Sequence, residues 1–410
     1  MTEPNPFNEE VLALNIPEST WDAAVQCLKS NSGVAVVDLA SSSPVSASAI
    51  EKIPRLAFFH TRQSLPTIRQ DKSCHIPKEA TAAHATGYHA AGLTMEESCD
   101  SNSLSRYNHY REGIVFSDGN SVSFCSDNEI EAACTRKAWN RLEAFMHSIA
   151  DELLSAIERD LHLPCEWLQD NLGPTRQNSQ WHLKQYVEPT TELTTEIFSP
   201  REEKSCSKVD RSNDNINQEQ QSAWLASHTD PSLISIIIHD RPGIQPGAMG
   251  LQYCRKHRPA DTKETTDEQG STMNRAIEWV EVECSGHCAA VVVVGSVLSY
   301  ITGNYYPASR HRVVRCPGEM SQSSSSTRMA ATLFVRPAGT ARLAVPPSLQ
   351  DTFQLKRSMT FEEWNARVSR NYKVGKAIAR GGRLYKTITG REGEAEEKVT
   401  RGRNDDDSFV

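Results

Sequence analysis

The order of hydrophobic patterns predicts an α+β fold in which helices come first and a sandwich or barrel of short strands follows. Three observations carry this expectation. Apolar residues recur at helical spacing from Asn128 to Leu163, short β-rich runs take over after Leu183, and polar segments without core-forming content separate those runs.

Each element has a local reason. From Ser19 to Ser30, Trp21, Ala24, Val25 and Leu28 share one helical face behind a Ser/Thr cap, and Gly33 to Leu39 then reads as a strand. Ala40 to Ala47 is a Ser-rich loop. A second helix is expected from Ser48 to Arg62, with Ile50, Ile53, Leu56 and Phe59 inward and Pro54 delaying its start or kinking it. A polar, weakly patterned stretch reaches Tyr110. The central helix carries Ala132, Trp139, Leu142, Phe145, Met146, Ile149, Leu153 and Ile157 on its buried stripe. Strands are expected at Ser232 to His239, Gly250 to Cys254, Ile277 to Val282, Ala289 to Val294, Ser309 to Val314 and Met329 to Arg336. Residues 190–222, 255–275 and 319–327 read as polar insertions, and 390–410 as a charged, disordered tail whose final Ser408-Phe-Val has the form of a C-terminal docking motif. The organisation expected is an N-terminal region over 1–175, a strand-rich core over 176–345 and a C-terminal helical segment over 346–389.

Composition narrows the function. A chain of 410 residues with 38% hydrophobic and 23% charged content can bury a substantial core. Its net charge of -8 disfavours a nucleic-acid partner, because binding a phosphate backbone needs a basic face. No apolar stretch approaches membrane length, and the acidic first residues lack the basic start and apolar run of a secretory signal. Eleven scattered cysteines, an odd number without repeated C-x-x-C pairs, fit reduced thiols in the cytoplasm. Cys284-Ser-Gly-His287-Cys288 has zinc-ligand residue types but no second ligand pair. Serine-hydrolase elbows, P-loops and dinucleotide-binding glycine motifs are missing. The expectation is a monomer acting on a small molecule.

The chemistry gathers around His228-Thr-Asp230. If this triplet opens a strand, the imidazole and carboxylate face the same way and converge on one ion. The motif alone is uninformative, since 13 histidines and 52 acidic residues in 410 positions give about 1.6 such pairs by composition. Context adds the weight. An apolar strand follows it, and a second histidine, His311, stands in a later strand; two histidines with one carboxylate form the facial triad of non-haem iron(II) oxygenases, which leaves positions open for a co-substrate and dioxygen. Further on, Arg328 shares strand parity with Ala330, Thr332 and Phe334, so its guanidinium can meet a buried carboxylate bidentately.

The blocks Gly250-Leu-Gln, Trp279-Val-Glu-Val, Gly295-Ser-Val-Leu-Ser-Tyr-Ile-Thr-Gly-Asn and His311-Arg-Val occur in the order of one family, preceded by Ala57-Phe-Phe, Gly87-Tyr and the long central helix. Over roughly residues 15–375 the chain resembles the plant and fungal 2-oxoglutarate-dependent dioxygenases related to isopenicillin N synthase. The resemblance implies a double-stranded β-helix, or jelly-roll, core flanked by helices. It also implies Fe(2+) on His228, Asp230 and His311, with 2-oxoglutarate and O2 as co-substrates and ascorbate as an accessory reductant. Arg328 would hold the distal carboxylate of 2-oxoglutarate, with Tyr186 or Gln185 assisting from the segment that stands for the family's N-Y-Y-P. The activity implied is hydroxylation, desaturation or oxidative cyclisation in specialised metabolism, with Tyr107, His109, Arg111 and Phe116 as substrate-contact candidates. An oxidase of the same fold that uses no 2-oxoglutarate, or a binding protein on a retired scaffold, are the alternatives. Three departures stand out: Ala330 replaces the serine of the family's R-x-S, Val187 replaces a tyrosine, and Ser296 replaces an aspartate.

Overall fold

The computed structural model describes residues 16–30, 32–39, 47–76, 86–89, 111–117, 129–174, 178–186, 223–240, 250–255, 278–284, 289–314, 328–373 and 385–387. Tyr107, His109, His287, Cys288, the tail and, apart from Arg255, the three expected insertions lie outside these residues.

A large antiparallel sheet organises the chain. The elements that build on it are α1 (Glu18–Ser30), β1 (Val34–Asp38), α2 (Ala47–Gln70), β2 (Gly87–His89), β3 (Arg111–Ser117), α3 (Glu129–Asp160), α4 (Trp167–Leu172), β4 (Gln180–Tyr186), β5 (Ala223–His228) and β6 (Ile234–His239). They are followed by β7 (Leu251–Arg255), β8 (Glu278–Glu281), β9 (Ala289–Val294), α5 (Ser296–Ile301), β10 (His311–Val314), β11 (Arg328–Val335), β12 (Phe353–Leu355), α6 (Phe361–Lys373) and β13 (Tyr385–Thr387). The large sheet has seven strands in the order β1-β9-β6-β11-β4-β3-β2, and a smaller one has four in the order β5-β10-β7-β8.

Strand alternation sorts side chains between two cores. On β11, Met329, Ala331, Leu333 and Val335 face the cluster shared with α1, α2 and α3, as do Ile234, Ile236 and Ile238 of β6. The opposite face of the large sheet meets the small sheet: Tyr186, Ile237, Val291, Val293 and Ala330 pack against Trp224, Leu225, Leu251, Tyr253 and Val313. Both faces of β6, β9 and β11 are buried, which explains their nearly continuous apolar sequence. The resulting architecture is the expected jelly-roll with helices on one face.

Two expectations need correction. The helix beginning at Ala47 continues to Gln70 through both Pro54 and Pro66, because Leu65 and Ile68 extend its buried stripe against α3. Phe59 is exposed at 51%, and Phe58, one position earlier, fills the core instead. Thr61 anchors this helix crossing, since its hydroxyl donates to the Ala57 carbonyl at 2.6 Å and accepts from Trp139 Nε1 at 2.8 Å.

Candidate metal centre

His228 and His311 are cross-strand partners. The register of β5 against β10 puts them directly opposite each other, and their ring centroids lie 4.4 Å apart. His228 ends its strand instead of opening one, and Asp230 follows in the turn before β6. The carboxylate is therefore aimed by a turn, not by strand alternation. That turn is held from behind: the Ser296 backbone N–H and hydroxyl both donate to the Asp230 carbonyl, each at 2.8 Å. Gly295 is required beside it, because a Cβ there would lie 1.9 Å from the Ser232 carbonyl oxygen.

The three side chains converge. His228 Nε2 is 3.4 Å from Asp230 Oδ1, and His311 Nε2 is 3.7 Å from Asp230 Oδ2. One ligand atom from each of the three residues lies within 4.8 Å of the others. The Ser309 carbonyl accepts from His311 Nδ1 at 3.2 Å, which leaves the Nε2 lone pair directed at the cluster. Burial, opposed by the charge of Asp230, lowers His311 to about 4, so its imidazole is neutral and ready to ligate. Burial alone would raise Asp230, yet His311 and His228 beside it and a hydrogen bond from Ser235 hold its carboxyl well below the usual range. Asp230 is 2% exposed, and among the described residues its Oδ2 accepts no hydrogen bond. A buried, ionised carboxylate oxygen flanked by two imidazoles fits a divalent cation, and this donor set suits iron(II).

The pocket in front of the cluster has about 350 Å³ of free space opening to solvent. Arg328, 3% exposed, enters it from β11 with the Tyr186 ring 5.2 Å from the guanidinium. Arg328 Nη2 also lies 3.1 Å from His239 Nδ1; the guanidinium can only donate, so Nδ1 accepts and His239 is neutral. Burial and then the Arg328 charge keep the His239 pKa well below the ordinary histidine value. His239 stands opposite Ala330 in the β6–β11 register, so it supports Arg328 where the family's serine is missing.

Gln185 is not brought into this arrangement. On β4 the pocket receives Lys184 and Tyr186, while Gln185 takes the parity of Leu183, which packs in the helix-side core. Sequence reading missed Lys184 and His239, because alternation reveals a two-residue period but not which parity faces in. Arg111 lies in β3 opposite Tyr186, whereas Phe116 stacks on Trp181 with centroids 4.0 Å apart in the helix-side core, away from the pocket.

A jelly-roll bearing two histidines and a carboxylate at the end of its small sheet offers the donor set that suits a mononuclear non-haem iron site. Residues 206–337, which include His228, Asp230, His311 and Arg328, match the family model of the 2OG-Fe(II) oxygenase superfamily. Solved structures share the fold across the chain. A full-length Neurospora crassa protein solved with alpha-KG superposes with a TM-score of 0.56 at 12% identity, covering 87% of this chain and 91% of its own. JOX2, solved with 2OG, Fe and JA, gives 0.52 at 14% identity, covering 86% and 84%. The dioxygenase for auxin oxidation in rice gives 0.50 at 15% identity, covering 88% and 91%. No curated protein matches the sequence. Among the described residues no helix is long and apolar enough to cross a membrane.

Proposed function

We propose that the protein is an iron(II)- and 2-oxoglutarate-dependent oxygenase that oxidises a small organic substrate at a C–H bond, by hydroxylation, desaturation or ring closure. The observation that supports this most is the single pocket shared by the His228, Asp230 and His311 cluster and the buried Arg328. Specialised-metabolite biosynthesis is the setting suggested by the resemblance to plant and fungal oxygenases. The six cysteines among the described residues are free thiols, which fits a reducing, cytoplasmic location.

Each side chain has a role that its surroundings favour. His228, Asp230 and His311 would hold the metal, and iron(II) bound there supplies the capacity to couple oxidative decarboxylation of 2-oxoglutarate by dioxygen to oxidation of a substrate C–H bond. Arg328 binds the distal carboxylate of 2-oxoglutarate; Tyr186 packs against the guanidinium and His239 accepts one of its N–H groups, so it is oriented before the co-substrate arrives. Leu225, Ile237, Leu251 and Val313 form aliphatic walls that exclude water and strengthen these charge interactions. For hydroxylation the balance is one substrate C–H, one dioxygen and one 2-oxoglutarate giving one alcohol, one succinate and one carbon dioxide.

Turnover under labelled dioxygen tests the assignment. Full-length protein supplied with Fe(II), ascorbate and 2-oxoglutarate should release succinate carrying one labelled oxygen even in slow uncoupled turnover, and His228→Ala should release none. Absence of labelled succinate from protein loaded with iron would instead favour an oxidase in which Arg328 binds the substrate's own carboxylate.

A further inference from the structure

The pocket holds more positive charge than this function uses. Lys184 enters it from β4, opposite Ala330, and is 7% exposed. Its Nζ donates to Thr332 Oγ1 at 3.4 Å and lies 4.9 Å from the centre of the Phe334 ring. Among the described residues no carboxylate is recorded within ion-pairing distance of it, and the acid whose charge reaches it is Asp230, already committed to the metal cluster. Arg111 and Arg336 add positive charge nearby. His182, two residues before Lys184 on the same strand face, meets Phe334 edge-on, and its buried Nε2 makes no hydrogen bond among the described residues.

A buried ammonium group without a counter-charge is unfavourable, and a fold that keeps one inside a ligand pocket has a binding use for it. Charge counting says which ligand. With iron(II), Asp230, doubly charged 2-oxoglutarate and Arg328 in place, positive and negative charges cancel, and Lys184 is left over. Resting on the iron and 2-oxoglutarate reading, we propose that Lys184 binds a carboxylate of the primary substrate, so that the enzyme acts on a small organic acid, with Arg111 and Arg336 adding to the attraction. The surroundings agree: burial, then Arg111 and Arg336, push the Lys184 ammonium down to about 7, a position that an arriving carboxylate would reverse.

The test uses full-length protein loaded anaerobically with Mn(II) and 2-oxoglutarate. Acetate, hexanoate and phenylacetate are each titrated against the corresponding amide, and binding is read from Mn(II)-induced relaxation of the probe's protons. At least one acid should bind about tenfold more tightly than its amide, a difference expected for a buried charge pair. Lys184→Met should erase that preference and Lys184→Arg should keep it, while 2-oxoglutarate affinity in both variants stays within about threefold of wild type. Lys184→Gln replaces the Met variant if that one lacks the wild-type circular dichroism spectrum. No acid preference in any of the three pairs, or a preference that survives neutralisation of Lys184, overturns the proposal. Loss of 2-oxoglutarate affinity in Lys184→Met by about tenfold or more also overturns it, assigning Lys184 to the co-substrate. Failure of 2-oxoglutarate to bind the wild type is a different result, which sinks the functional reading itself.

Discussion

Replacing Arg328 by Met keeps most of the side chain's length and removes its charge at the point where the proposed function places the distal carboxylate of the co-substrate. The loss can be bounded from the surroundings. Arg328 is 3% exposed, and its guanidinium is already oriented by the Tyr186 ring at 5.2 Å and by His239 Nδ1 at 3.1 Å. Its bond to a carboxylate is therefore of the desolvated, preorganised kind, for which removing one partner costs about 2–5 kcal/mol. Taking about 3–4 kcal/mol at about 1.4 kcal/mol per decade, 2-oxoglutarate affinity should fall by roughly 100- to 1,000-fold. Iron(II) affinity should hold, because Arg328 is not among the convergent ligand atoms. The assay is an anaerobic titration of iron-loaded protein with 2-oxoglutarate, with iron binding measured separately. A change of less than about threefold in 2-oxoglutarate affinity would refute the reasoning, since a buried guanidinium contributing so little would not be holding the carboxylate.

Two further outcomes follow from the same geometry. Ser296→Ala removes one of two donors to the Asp230 carbonyl and costs about 1 kcal/mol of support, so Mn(II) should bind roughly fivefold more weakly by electron paramagnetic resonance; unchanged affinity would mean that the hydroxyl does not aim the carboxylate. Lys184→Met should stabilise the metal-free protein near neutral pH. The folded-state Lys184 pKa of about 7 lies below its ordinary 10.5, so between those values the unfolded chain binds more protons and stability rises with pH. The advantage of the Met variant in urea unfolding, about 4 kcal/mol at pH 7, should accordingly shrink as pH approaches 10.5, whereas an advantage that does not depend on pH would contradict the assignment.

Helices and strands were legible where burial imposes one clear period. The stripe from Ala132 to Ile157 and the runs at 234–239, 289–294 and 328–335 appear close to their expected bounds for that reason. The grouping of His228, Asp230 and His311 was legible through context, but the cause of their convergence was not. It depends on the register of His228 opposite His311 and on Ser296 gripping the turn at Asp230, two long-range contacts that no local pattern carries. Parity on β4 was equally hidden, since Lys184-Gln185-Tyr186 alternates whichever way the strand faces, and only pairing with β11 sends Lys184 inward. His239 ends a run of buried isoleucines and looked like part of an apolar strand until β11 brought Arg328 to it.

The direct test of the central claim is the visible charge-transfer absorption of iron(II) chelated by a 2-oxo acid, followed anaerobically in full-length protein. Addition of 2-oxoglutarate to the Fe(II)-loaded protein should produce a band that saturates at about one ion per chain, and Asp230→Ala should fold without producing it. Wild-type protein that binds iron yet shows no band, or a band of equal strength in Asp230→Ala, would contradict the account.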